Sequence, residues 1–275
     1  MRIDAHQHFW IFNAERDAWI TDDMAAIQRN FLPTDLAPLL KENGMDGVIA
    51  VQASQSVEET QFLVDLSTMY AMVKGVVGWV DLQADDVEQQ LEQFSQHRII
   101  KGFRHVIEAE DDPDFLVRPA FLRGIAALTK FKYTYDLLIR PRHYASTLAC
   151  VAQHPNQKFV LDHMAKPNIR SGEFTAWAAF IEKLAAFPNV YCKVSGLLTE
   201  AHWSQWMLAD FKPYVQHAIA CFGKERVMFG TDWPVCTLAG SYADVVRVAT
   251  DNLSDFSAAE RDAFWGGNAA SFYNV

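Results

Sequence analysis

Met1-Arg2-Ile3-Asp4-Ala5-His6-Gln7-His8-Phe9-Trp10 opens the chain. A short apolar run ends in two histidines two residues apart. Side chains alternate along a strand, so His6 and His8 are expected on one face. The residues just after the run are equally informative. An open doubly wound sheet of the dinucleotide-binding kind places a glycine-rich turn after its first strand. This chain has His-Gln-His-Phe-Trp there instead. A His-x-His pair alone carries little weight, because packing produces it often. The rest of the chain must supply its partners.

Seven further runs rich in β-branched and aromatic residues come after residues 2–8. They are 47–53, 76–82, 99–106, 133–139, 158–163, 190–195 and 227–231. Segments with helical periodicity lie between them. Ser56 and Glu59 read as a capping box opening a helix to Met72, and Ser257 and Glu260 repeat the device before the last helix. Thr34 is placed to cap a helix that Gly44 ends. Pro141 suits a first helical turn. Amphipathic stretches cover 84–96, 118–131, 174–187 and 203–222. Eight strands, each followed by a helical stretch, predict an α/β fold of the (β/α)8 TIM-barrel type. No Pro/Gly/Ser linker interrupts residues 1–275, so a single domain is expected. No repeat of 20–50 residues suggests a solenoid.

Half the residues are hydrophobic, enough for one large core, and the net charge is −10 with the acids dispersed. Without a basic stripe, nucleic acid and anionic membranes are not expected partners. No run of about 18 apolar residues predicts a transmembrane helix. Asp4 interrupts the stretch a signal peptide would use, which favours a cytoplasmic location. Cys150, Cys192, Cys221 and Cys236 lack Cys-x-x-Cys spacing and read as reduced thiols. There is no P-loop, no Gly-x-Gly-x-x-Gly and no Gly-x-Ser-x-Gly elbow.

In such a barrel, function sits at the C-terminal ends of the strands. Those ends carry His6 and His8; Gln52; Trp79 and Asp81; Lys101, Arg104 and His105; Tyr135 and Asp136; His163 and Lys166; Lys193 and Ser195; Asp232 and Trp233. One buried polar residue would usually be a satisfied core group, since burial without a partner is costly. Eight sets at equivalent positions favour an active site. His6, His8, His163 and Asp232 suit a zinc ion with an open position. They equally suit metal-free hydrolysis, with Asp232 as general base and histidines polarising a carbonyl. Spacing does not separate the two. Arg104 offers a planar fork for a carboxylate or carbonyl oxygen, or a structural salt bridge. Lys101 stands at odd spacing from it, on another face. Lys193 suits a Schiff base or, more simply, an ion pair in the barrel. Trp10, Trp79, Trp233 and Tyr135 suit a stacking wall or core packing.

Five stretches together resemble one family. They are Asp4-Ala5-His6-Gln7-His8, Gly102-Phe103-Arg104-His105, His163-Met164-Ala165-Lys166-Pro167, Lys193-Val194-Ser195-Gly196-Leu197 and Gly230-Thr231-Asp232-Trp233-Pro234. The resemblance is to the amidohydrolase superfamily, in its amidohydrolase-2 branch, and within it to the sugar-lactone hydrolases. It spans the first strand to the eighth and implies a (β/α)8 barrel. His6 and His8 match the strand-one pair, His163 the strand-six histidine and Asp232 the strand-eight aspartate. In the family the aspartate activates water, while the histidines bind metal or the substrate carbonyl. One departure matters. Many metal-dependent relatives carry another histidine at the end of strand five. Here that region reads Tyr133-Thr134-Tyr135-Asp136-Leu137-Leu138. Strand four also lacks a bridging carboxylate. A two-metal centre is therefore not expected, and the cofactor expectation is none, or one zinc.

The resemblance implies a hydrolase that opens an L-fuconolactone-like 1,4- or 1,5-lactone to its aldonic acid. Asp232, His163, His6, His8 and Arg104 form the expected catalytic set. Gln52, Lys101, His105, Tyr135, Lys166 and Trp233 are expected to bind substrate. A single divalent metal would take His6, His8, His163 and Asp232. The expected partner is a small-molecule sugar lactone, and a homo-oligomer is compatible with this. Three alternatives stand beside it: a zinc-dependent decarboxylase of an aromatic or muconate-type acid, a Lys193 Schiff-base aldolase, and a barrel that binds a sugar acid without turnover. A binder has no need of a base, which speaks against the last. Residues 10–33, inserted after the first strand, are the candidate lid.

Overall fold

Strands covered on both faces read as nearly continuous apolar runs, and that is how these eight read. The computed structural model describes residues 1–275. Its strands are β1 (Ile3–Gln7), β2 (Gly47–Val51), β3 (Val73–Gly78), β4 (Ile100–His105), β5 (Thr134–Leu137), β6 (Phe159–Leu161), β7 (Val190–Val194) and β8 (Val227–Phe229). They pair in parallel in sequence order. A parallel bridge from Gln7 to Trp233 closes the ring. At that seam His8 N donates to the Trp233 carbonyl at 2.7 Å and Asp232 N to the His6 carbonyl at 2.8 Å. Closure therefore brings the first and last motifs of the chain side by side.

The helices are α1 (Pro33–Glu42), α2 (Val57–Met69), α3 (Val87–Ser95), α4 (Pro119–Phe131), α5 (Tyr144–Gln153), α6 (Thr175–Ala185), α7 (Leu208–Phe222), α8 (Tyr242–Asp251), α9 (Ala258–Asp262) and α10 (Asn268–Tyr273). Their apolar faces and the outer faces of the strands form the main core. A second cluster joins inward residues such as Ile3, Ile49 and Met228 to Phe272 and Tyr273, so α10 covers the end of the barrel opposite the strands' C-termini. No helix is long and apolar enough to cross a membrane.

Local differences from expectation have local causes. Ser56 caps α2 by accepting from Glu59 N at 3.1 Å. The Glu59 carboxylate does not return to Ser56, however. It accepts from Ala53 N and Ser54 N at 2.5 and 2.7 Å, holding the turn after β2. Thr34 is not a cap: Leu32 holds that position, Pro33 begins the helix, and Asp35 accepts from Leu32 N. The third strand lies earlier than 76–82, ending at Gly78 where Thr60 accepts from Trp79 N. Residues 10–33 are pinned at their base by mutual Trp10–Phe31 backbone bonds and bury Ile20 and Ile27.

Candidate active site

The register of β1 against β2 slips between Asp4 and Gln7, a bulge of the kind that re-aims side chains beside active sites. Simple alternation thus does not describe this strand. Both rings nevertheless reach one carboxylate. His8 Nε2 lies 3.2 Å from Asp232 Oδ1, and His6 Nε2 lies 3.8 Å from the same oxygen. His163 Nε2, from the far side, is also 3.8 Å away. Asp232 Oδ2 receives no hydrogen bond from the protein. All four residues are buried.

Each ring is oriented through its other nitrogen. His8 Nδ1 lies 2.7 Å from the Val51 carbonyl. A carbonyl only accepts, so Nδ1 carries the proton and Nε2 points at Asp232. His163 Nδ1 meets Ser195 Oγ at 2.9 Å. His6 Nδ1 lies between Lys193 Nζ at 3.1 Å and Asp162 Oδ1 at 3.2 Å. Burial holds His6 and His163 well below the ordinary histidine range, so both are neutral. Burial pushes Asp232 up, but His163, His8 and Lys166 outweigh it and keep the carboxyl below its usual range.

Backbone geometry places two of these groups. Residues His163, Met164, Ala165 and Lys166 all have positive φ, between 49° and 59°. A non-glycine residue in this region costs about 1–2 kcal/mol, so other contacts must hold the turn. The Trp177 indole donates to the Met164 carbonyl at 2.6 Å. Gly196, itself at φ 62°, leaves room for the His163 ring: a Cβ there would lie 2.6 Å from the ring's Cγ and closer still to Nδ1. On the opposite seam, Asp4 accepts from Thr231 N at 2.9 Å and from Thr231 Oγ1, Tyr242 and His6 N. That fixes the turn from which Asp232 projects.

Beneath the histidines lies a buried charged layer. Lys193 Nζ sits 2.5 Å from Asp136 and 3.0 Å from Asp162. Arg104 donates to Asp162 at 3.0 Å and, through Nη2, to the Gln52 carbonyl and to Gln52 Oε1. Its Nη1 also lies 3.3 Å from His6 Nε2. Burial pushes Asp162 up, yet Lys193, His6 and Arg104 bring it well below the carboxylate range. Alternation along a strand would put Asp162 opposite His163, which is why its place in the site is not visible in the sequence. The strand stops at Leu161 and the left-handed turn directs both residues inward.

Several expected roles change. Both terminal nitrogens of Arg104 are committed, so it positions His6 and Asp162 and is not available as a carbonyl clamp. Gln52 is likewise engaged with Arg104 through both ends of its amide. Lys193 is the ion-paired barrel lysine. Lys101 reaches the Asn274 carbonyl, near the α10 end of the barrel and away from the site. Tyr135 is fully buried between Phe121 and Phe159. Trp233 packs edge-on against Phe9 and Phe31. His105 stacks on Phe115 and pairs with Glu110. Of the six expected substrate contacts, Lys166 alone keeps a charged group beside the histidines. Its cause is the left-handed turn that carries His163.

The donor set fits one divalent cation. Donor atoms of His6, His8 and Asp232 lie within 4.8 Å of one another, and so do those of His6, Asp162 and His163. Bonds of 2.0–2.1 Å in a tetrahedron put ligand atoms about 3.4 Å apart, close to the 3.2–3.8 Å seen around Asp232 Oδ1. The second trio fits less well, because Asp162 already neutralises Lys193 and Arg104.

Fold and site together define a (β/α)8 barrel with three imidazoles and a carboxylate gathered at the ends of its strands. The chain belongs to the amidohydrolase family, whose profile, described as amidohydrolase, matches residues 3–275. It is 39% identical to an L-fucono-1,5-lactonase of Burkholderia multivorans, over 99% of this chain and 96% of that one. It is 36% identical to an L-fucono-1,5-lactonase of Burkholderia ambifaria, over 100% of this chain and 96% of that one. A crystal structure of an amidohydrolase from Burkholderia multivorans with bound Zn superposes with a TM-score of 0.97 at 38% identity, covering 100% of this chain and 99% of the other.

Proposed function

We propose that this protein hydrolyses a sugar-derived lactone, of the L-fucono-1,5-lactone kind, to its aldonic acid. The observation that carries the reading is the convergence of three imidazole Nε2 atoms on Asp232 Oδ1 while Oδ2 stays free. Full-length similarity to two lactonases supports the substrate class.

Asp232 Oδ2 accepts a proton from water as the water oxygen attacks the lactone carbonyl carbon. With Ser195 donating to Nδ1, His163 carries its proton on Nε2 and directs it at the developing oxyanion. The ring C–O bond then breaks, and protonated Asp232 returns its proton to the departing alkoxide. One lactone and one water become one hydroxy acid. His6, His8 and Asp232 would hold a single zinc, in line with the Zn-bound relative. Zinc bound there would supply Lewis-acid polarisation of the carbonyl or acidification of water. Of the four aromatics that would wall an aromatic acid in the decarboxylase alternative, Trp233 and Tyr135 are spent in the core.

A pH-indicator assay over a panel of sugar lactones, with and without chelator, tests the reading. Acid release from an L-fuconolactone-like substrate is expected. Asp232→Asn should lose about 10²–10⁴ in kcat while retaining lactone binding. No acid from any lactone would overturn the reading, and an active Asp232→Asn would overturn the assignment of the base.

A further inference from the structure

Four successive loops at the mouth of the barrel each give one charged side chain to a continuous arc. Glu108 comes after β4, Arg140 after β5, Lys166 after β6 and Glu200 after β7. Lys166 Nζ lies 2.8 and 2.7 Å from the two oxygens of Glu108. Arg140 Nε lies 3.0 Å from Glu108 Oε2, and Arg140 Nη1 donates to Glu200 Oε2 at 3.2 Å. Lys166 closes the left-handed turn that begins at His163, three residues earlier. The arc therefore borders the reactive carboxylate.

The network leaves part of its hydrogen-bonding capacity open at the mouth of the barrel. Glu108 Oε1 accepts from Lys166, and Oε2 stands at ion-pair distance from Lys166 and Arg140. Glu200 Oε1, Arg140 Nη2 and part of the Lys166 ammonium have no partner in the protein. One acceptor and two cationic donors are left; Glu200 and Lys166 are mostly covered, while Arg140 is more than a third exposed. An alcohol needs both kinds of partner, since its O–H donates and its oxygen accepts. Two carboxylates and two cations leave the arc with no net charge, so it does not select an anion. Its chemistry matches a neutral ring bearing neighbouring hydroxyls.

We infer that Glu200, Arg140 and Lys166, held in register by Glu108, are specificity-determining residues that read the ring hydroxyls of the lactone. This rests on the lactonase reading and adds to it which residues choose the substrate. Glu200 accepts a hydrogen bond from a hydroxyl, and Arg140 and Lys166 donate to hydroxyl oxygens. Glu108 is a positioning residue.

The test uses Glu200→Gln and Arg140→Gln, with Glu200→Asp and Arg140→Lys as conservative partners and thermal melts to confirm folding. Kinetics are measured with a polyhydroxylated sugar lactone and with δ-valerolactone, which has the same ester and no hydroxyls. Loss of one charge-assisted hydrogen bond should raise KM for the sugar lactone about 10–100-fold, with kcat and all δ-valerolactone parameters moving far less. Equal losses on both lactones, or an unchanged KM for the sugar lactone, would overturn the inference. Calorimetric binding of a 1,5-anhydroalditol, a hydroxylated ring with no ester, separates this from the parent reading. If no lactone is hydrolysed yet Glu200→Gln weakens anhydroalditol binding about tenfold, the hydrolase reading fails and the arc stands. If lactones are hydrolysed and no variant discriminates between them, the arc fails alone. Neither hydrolysis nor binding would end both.

Discussion

His8 Nε2 faces Asp232 Oδ1 at 3.2 Å while its Nδ1 is tied to the Val51 carbonyl at 2.7 Å. In the neutral ring the proton is on Nδ1, so a lone pair points at a carboxylate oxygen. Two such acceptors repel unless a cation or proton lies between them. Coordination of a metal by both atoms removes the conflict, and the Val51 carbonyl is then the outer partner that fixes the ring.

Zinc is the cation expected there. Metal-depleted protein should take up one equivalent of zinc in equilibrium dialysis, and His8→Ala should bind it at least about 100-fold more weakly. Protein that takes up no zinc would remove the metal from this site.

Gly196 touches the site through what it lacks. Alanine there would place a methyl 2.6 Å from the Cγ of His163, at a φ of 62° that a side chain tolerates poorly. Gly196→Ala should displace His163, lower kcat at least about tenfold and destabilise the fold by about 1–3 kcal/mol. Kinetics together with urea titration check both. Full activity in Gly196→Ala would mean His163 does not act from its present position.

The barrel was legible because both of its signals are local: apolar strand runs and helical periodicity, repeated eight times. His6, His8, His163 and Asp232 were legible because strand ends converge in any such barrel. What stayed hidden depends on three dimensions. Lys101 and Tyr135 looked like site residues from their strands, but the first reaches Asn274 and the second faces the helices. Arg104 suits either a clamp or a structural salt bridge by its sequence, and the structure decides between them by placing Asp162 and Gln52 on its terminal nitrogens. Glu108, Arg140 and Glu200 lie in loops, where no period marks which side chains meet.

Glu59 should make stability depend on pH. Its carboxyl, 8% exposed, is pushed up to about 7 by burial, against the lowering from Ala53 N, Ser54 N and Arg16. The unfolded value is 4.5. A raised folded value means the native state holds the proton more tightly. Stability from this group is present below pH 4.5 and is lost as pH rises through 7. The linkage amounts to roughly 3 kcal/mol. Urea unfolding of wild type and Glu59→Gln across about pH 4.5–7.5 should show their difference shifting against wild type by up to that amount. Parallel curves would mean the group is not desolvated.

Lys193 separates chemistry from support. Its ammonium lies 2.5 Å from Asp136 and 3.0 Å from Asp162, with no solvent exposure on any of the three side chains. Lys193→Met removes the cation and leaves two carboxylates buried with less compensation. Breaking a buried pair in this way costs about 3–5 kcal/mol, which at about 2–4 °C per kcal/mol is a fall in Tm of roughly 6–20 °C. Adding Asp136→Asn should restore part of that loss, because it deletes one of the stranded charges. Borohydride in the presence of a carbonyl substrate should trap no adduct, since an ammonium held between two carboxylates is a poor nucleophile. A Lys193→Met protein as stable as wild type would refute the supporting role. A trapped adduct would return the lysine to the chemistry.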